Sequence, residues 1–173
     1  MLSRWLSWIM FLAICFVAAA VGASFTNSSV KTWYPRLQKP AGTPPSWVFG
    51  PVWSVLYFLM GTAVWLVWQL REERDVRLAL SLFFGQLLLN AAWSFIFFGL
   101  QRPDVALAEI LVLWLAIVLT TMSFSEYSSP AFWLMTPYLG WVTYATYLNF
   151  GIWRLNRSAT EDAGRKVTRS RML

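Results

Sequence analysis

The chain has 173 residues, 58% of them hydrophobic and only 13% charged, where a soluble domain carries about 25% charged residues. Its formal charge is +6, but most of the surplus lies in Arg154, Arg157, Arg165, Lys166, Arg169 and Arg171, where basic residues beside a hydrophobic helix report membrane orientation and anionic headgroups rather than nucleic acid. With no His there is no imidazole for a metal or for general-base work, and the single Cys15 excludes an intrachain disulfide.

A membrane-crossing helix needs about 20 mostly apolar residues, and five stretches supply them. The first is 5–24. Arg4, an apolar core and the small-residue run 18–23 would also suit a cleaved signal peptide, but the length of the stretch and Trp5 and Trp8 at its start favour a retained span with interfacial anchors. Residues 25–46 follow, too many for a simple connection, and such loops are usually functional or disordered. Because this one contains Trp33, Tyr34, Pro35, Pro40, Pro44 and Pro45, it reads as a semi-ordered lid over one end of a bundle, not as a polar linker.

The second span is 47–70, the third 78–100, the fourth 105–124 and the fifth 131–153. Pro51 and Pro137 fall near the starts of the second and fifth, where a missing amide donor costs least, so slight bends are expected and no breaks. The turn from Arg71 to Arg77 is nearly self-neutralising. The reading is an all-α membrane protein: one five-helix bundle over 1–156 with a long lid between helices 1 and 2, then a basic disordered tail over 157–173. Arg4, Arg71, Arg74 and Arg77 fall on one side, and Lys31, Arg36, Lys39, Arg102 and the six tail residues on the other. The positive-inside rule then places the C-terminus in the cytoplasm and the N-terminus outside.

Catalytic chemistry is thinly supported: no triad, metal site or phosphate loop is visible, and no cofactor is expected. Glu109 is the one carboxylate placed to lie inside a span, either as a functional group or as a side chain reaching back to water near Asp104. Gln86 and Asn90 are four apart, with Trp93 and Phe97 on the same stripe, so this face should point inward. It serves either as interhelical glue, the commoner outcome for such residue types, or as a pocket wall. Ser81 and Gly85 form a small-xxx-small pair that fits a dimer seam or close packing within one chain. Trp53, Trp93, Trp114 and Trp141 lie deeper than the anchoring Trp5, Trp8, Trp47 and Trp153, and are expected to face inward. Trp53 shares a face with Tyr57, and Trp141 shares one with Tyr144 and Leu148; such an aromatic, uncharged interior suits a planar hydrophobic ligand.

The run from Trp33 to Pro40, then Pro44 to Tyr57, closely resembles the translocator protein family, also called the tryptophan-rich sensory protein or peripheral benzodiazepine receptor family. Two more blocks match: Gln86 to Trp93 continuing to Phe97-Phe98-Gly99, and Pro137 to Trp141 continuing to Leu148-Asn149-Phe150. The resemblance implies a five-helix bundle whose cavity is closed by the first loop. It also implies binding of porphyrins such as protoporphyrin IX and heme, of sterol-like lipids, and of benzodiazepine-type or isoquinoline compounds. Carried over by motif, the cavity residues are Trp53, Asn90, Trp93, Glu109, Trp141, Thr143 and Leu148, joined here by Tyr57 and Phe97. Some members of the family are associated with light-dependent porphyrin breakdown at the positions of Trp53 and Trp141.

Three departures matter. Gly42 stands where many relatives have a lid Trp. Ser94-Phe95 replaces a common Pro, which predicts a straighter third helix. Phe150 lies between Leu148 and Arg154 where the sterol pattern needs Tyr, and such patterns are weak even when intact. The implied function is a non-enzymatic binding or sensing protein for tetrapyrroles and other flat ligands, in tetrapyrrole or lipid homeostasis. Porphyrin photo-oxidation and transport of porphyrin or sterol are the alternatives. The implied partners are such a ligand, the lipid bilayer and a second copy of the chain, in a bacterial envelope membrane or an organelle outer membrane.

Overall fold

Uncharged apolar runs of this length satisfy their backbone donors and acceptors most readily as helices, and every long element formed is one. The computed structural model describes residues 2–170, with side chains described for 4–157. Five α-helices run in chain order: α1 (Leu2–Thr32), α2 (Ser46–Trp68), α3 (Arg77–Ser94), α4 (Pro103–Ser125) and α5 (Ser129–Ser170). A 3-10 turn, Tyr34–Arg36, follows α1, and a π-helical turn, Phe95–Gly99, extends α3. Among the described residues there is no strand. Among the described residues, four helices are long and apolar enough to cross a membrane: Arg4–Thr32, Ser46–Trp68, Arg77–Gly99 and Pro103–Ser125. The fifth expected span, 131–153, lies within α5. The expected tail, 157–173, falls outside the described side chains except for Arg157.

Several boundaries differ from the sequence expectation. The first helix does not stop at Ser24 but runs to Thr32, so the connection to α2 shortens from 25–46 to 33–45. Ser24, Thr26 and Thr32 sustain it by returning their hydroxyl protons to the carbonyls of Val21, Gly22 and Ser28. Those polar residues look like loop in a hydropathy profile, yet back-bonding lets them remain helical. Helices α2 and α5 begin earlier than expected, so Pro51 and Pro137 lie inside them rather than in their first turns; both helices run through without a break.

The third helix also departs from the expected plain continuation. After Ser94 the hydrogen bonding widens, with the Leu100 amide reaching the Phe95 carbonyl at 2.8 Å. Gln101 then takes a left-handed conformation (φ 54°) and Arg102 pairs with Asp104 at 2.7 Å, which turns the chain into α4 with Pro103 in its first turn.

The packing places α4 against α3 and α5, α1 against α2 and α3, and α2 against α5. The core between them is filled by Met60, Phe83, Ile117, Phe124, Met135 and Tyr138, with Phe83 and Phe124 stacked at 6.0 Å. A second cluster, Tyr34, Phe97, Ala106 and Ile152, forms at the end where the 33–45 connection lies.

Candidate ligand cleft

Where α1 meets α2, Gly61 lets the helices touch. A Cβ there would stand 2.8 Å from Leu12 Cδ2 and 3.2 Å from Leu12 Cα, the close approach that small residues permit between membrane helices. Beyond that crossing, toward the 33–45 connection, a cleft of about 450 Å³ opens between the two helices. Its back wall is the end of α3. There Gly22 of α1 lies against Ser94, with a hypothetical Cβ 3.2 Å from Ser94 Oγ. Trp53 and Tyr57 project into the cleft from α2, Trp93 and Phe98 from α3 and its π turn, and Tyr34 from the 3-10 turn.

Each aromatic wall is supported from behind. Trp53 and Tyr57 lie 5.6 Å apart, and Trp53 meets the buried Tyr138 edge-on at 6.2 Å. Trp93 stacks on Phe97 at 5.0 Å with 24° between planes, and Trp33 packs on the other side of Phe97 at 5.7 Å. The Trp93 indole N–H donates to Asn149 Oδ1 at 3.1 Å, and Asn149 in turn donates to the Pro103 carbonyl. Ser29 ties the top of α1 to the π turn by donating to the Phe98 carbonyl at 2.7 Å. Burial raises the Tyr34 hydroxyl above its ordinary phenol range, so that ring stays neutral.

The sequence-predicted residues separate into distinct positions. Trp53, Tyr57 and Trp93 line the cleft together. Asn90 stands one layer behind: its Oδ1 accepts the Tyr57 hydroxyl at 2.7 Å and its Nδ2 donates to the Tyr138 hydroxyl at 2.8 Å. Asn90 is therefore glue between α2, α3 and α5, the commoner of its two expected roles. Gln86 points inward as expected, fully buried, with both amide atoms lacking a protein partner. Phe97 is buried behind Trp93. Leu148 is a core residue of α5, and Glu109 holds both carboxylate oxygens inside the protein without a partner. Neither lines the cleft. The alternative in which Glu109 reaches water is thus not the one seen.

Trp141 reaches the cleft only through Phe49, 6.0 Å away. On its other side it borders a shallow groove between α2 and α5 with Pro51, Val55, Pro137 and Tyr144. Thr143 does not meet the others at all: it is exposed on the outer side, accepting the Trp114 indole N–H at 2.8 Å. Trp114 itself is 37% exposed, contrary to the inward orientation expected, because Thr143 satisfies its N–H at the surface. Ser81 and Gly85 face outward, and nothing lies within 4 Å of a Cβ on Gly85.

Sequence reasoning missed the contribution of α1. Phe16, Ala19, Gly22, Ala23, Thr26 and Lys31 form one whole side of the cleft. The signal was the small-residue run 18–23, which suited a signal peptide equally well. The connection 33–45 is strapped onto α5 instead. Gln38 and Asn156 exchange hydrogen bonds at 3.1 and 2.9 Å, and the Tyr144 and Tyr147 hydroxyls donate to the carbonyls of Gly42 and Ala41. Gly42 (φ 85°) uses a left-handed conformation that a residue with a side chain would strain. Pro40 sits against Gly151, and Pro45 leads directly into α2 after the half-buried Pro44.

Comparison with known proteins gives one consistent result. The model of the TspO/MBR family matches residues 11–154. A tryptophan-rich protein TspO from Chlorobaculum tepidum is 42% identical over 149 residues, covering 84% of this chain and 92% of that protein. The human translocator protein is 41% identical over 140 residues, covering 79% and 82%. A tryptophan-rich sensory protein from Cereibacter sphaeroides is 40% identical over 157 residues, covering 91% and 96%.

Proposed function

The chain belongs to the TspO/MBR family of integral membrane proteins, and on that footing we propose that it binds flat hydrophobic ligands of the porphyrin class in the cleft between α1, α2 and α3. The carrying observation is the set of aromatic faces, Trp53, Tyr57 and Trp93, around a cleft of about 450 Å³, within the size range of small-molecule sites. A macrocycle would be held by stacking and burial, since without His an iron centre would lack that axial ligand. The strap over 33–45 acts as the lid of the site, closing the end where Tyr34 enters it. The reading is of a binding or sensing protein and not an enzyme, in keeping with relatives named as translocator or sensory proteins.

In this reading α5 is the fifth membrane span, the C-terminus faces the cytoplasm, and the outward pair Ser81 and Gly85 is the seam of a homodimer. The test is a titration of protoporphyrin IX into protein held in neutral-lipid nanodiscs, followed by Trp fluorescence. Saturable quenching is expected, with affinity reduced about tenfold by Trp53→Leu and Trp93→Leu together, as the loss of two aromatic faces implies. Equal affinity in the double variant would remove the ligand from this cleft.

A further inference from the structure

The cleft is uncharged almost throughout. Its polar lining is hydroxyl and amide, and two of its hydroxyls are already spent, Thr26 on the Gly22 carbonyl and Ser54 on the Gly50 carbonyl. The one ionised side chain on its wall among the described residues is Lys31, in the last turn of α1 at the lid end. Among the described residues no carboxylate lies within ion-pair distance of Lys31.

The acidic residues with described side chains are placed elsewhere. Glu72, Glu73 and Asp75 lie between α2 and α3, and Glu126 follows α4, all at the opposite end of the bundle. Asp104 is held by Arg102 at 2.7 Å, and Glu109 is buried in α4. The neighbouring Lys39 is otherwise engaged. It sits over the Tyr34 ring, 4.7 Å from the centroid, and bonds the Leu37 carbonyl.

From this arrangement we infer that Lys31 is the specificity-determining residue of the cleft, the side chain that receives an acidic group on the rim of its ligand. The inference rests on the cleft being a ligand site. The flat body lies against Trp53 and Trp93, and the carboxylate emerges at the mouth, where it meets the ammonium of the exposed Lys31 side chain. The charge-assisted contact adds to the stacking. A neutral ligand of the same shape would gain the stacking without the ion pair. The charge thus sorts acidic amphiphiles from neutral ones of equal hydrophobicity.

The experiment compares protoporphyrin IX with its dimethyl ester, which keeps the macrocycle and masks both carboxyls, in neutral-lipid nanodiscs at low salt. The wild type should bind the acid about threefold to fivefold more tightly than the ester, the factor one exposed ion pair supplies. Lys31→Gln should abolish that preference by weakening the acid alone, Lys31→Arg should retain it, and Lys39→Gln should leave it unchanged. Added salt should shrink it. Equal affinities for acid and ester in the wild type overturn the assignment, as does a Lys31→Gln variant that weakens both equally. A Lys31→Gln variant that still prefers the acid would also overturn it, by showing that another group receives the carboxylate. If neither compound binds the wild type, the site reading itself fails.

Discussion

Alanine at Gly151 puts a methyl group where Pro40 already stands. The added Cβ would lie 2.6 Å from Pro40 Cγ, 2.7 Å from its Cβ and 3.3 Å from its Cδ, whereas carbon atoms pack comfortably at about 3.5–4.0 Å. Proline has no rotamer with which to step aside, so the strap itself must lift by about 1 Å to restore that spacing. Overpacking of this kind costs about 1–3 kcal/mol. The bonds holding the strap are those of Gln38, Ala41 and Gly42 to Asn156, Tyr147 and Tyr144, each worth about 0.5–1.5 kcal/mol net. The clash is therefore large enough to loosen the strap and too small to unfold the bundle. Opposing it is the better helix propensity of Ala over Gly, about 1 kcal/mol, so the two mechanisms predict opposite signs. In nanodiscs, Gly151→Ala should speed tryptic cleavage after the exposed Arg36 several-fold and leave the thermal midpoint unchanged or lower. Gly140→Ala, where no atom lies within 4 Å of the new Cβ, should do neither. Slower cleavage together with a raised midpoint in Gly151→Ala would show that Pro40 does not rest on this glycine, and the reasoning would fail.

Asn90→Ala leaves the Tyr57 and Tyr138 hydroxyls unpaired in the core, a loss of about 2–4 kcal/mol; an unchanged thermal midpoint would contradict the bonding described. Thr143→Val should leave porphyrin affinity within about twofold of wild type, as expected of a residue outside the cleft whose contact is about one hydrogen bond; a tenfold loss would return Thr143 to the site. Glu109→Met removes a buried carboxyl without a partner and should raise or preserve the thermal midpoint, because an apolar isostere avoids the desolvation cost; a lower midpoint would show that a partner holds the acid. The exposed Asp75 carboxyl is held down at about 2 by hydrogen bonds from Arg77. Its folded pKa is depressed, so whatever the contact contributes is present above the ordinary carboxylate range, near pH 4, and is lost as pH falls toward 2. NMR titration of the Asp75 carboxyl should find its midpoint below that range, and a midpoint near 4 would refute the pairing.

The reach of sequence reasoning followed from what lipid forbids. Amides at 86 and 90 cannot face hydrocarbon, so their inward direction was legible, and so were the charge-poor spans. Trp114 escaped the same logic because its N–H found Thr143 at the surface, a partner that depends on how two helices are rotated. The top of α1 was read as loop because hydropathy does not register hydroxyls bonding back to their own helix. Its lining role was hidden in Ala and Gly, residues that shape a cleft by what they leave out. Of the aromatic positions the family blocks singled out, Trp53, Tyr57 and Trp93 line one cleft and Trp141 lies behind Phe49. Which of them meet at one surface depends on the gap between α1 and α2, whose near end is closed by the approach of Gly61 to Leu12 and by the bonds of Trp8 and Trp65 across the crossing.

Under the proposed function, that gap bears on how ligands would arrive. A cleft between two membrane helices would be supplied from the hydrocarbon. The concentration the protein experiences is then the bulk value multiplied by the ligand's partition coefficient into lipid. Arrival becomes a search in two dimensions, governed by lateral diffusion and diluted by added lipid. Affinities expressed per volume of water would drift with the lipid-to-protein ratio, and those expressed as mole fraction in the bilayer would hold constant.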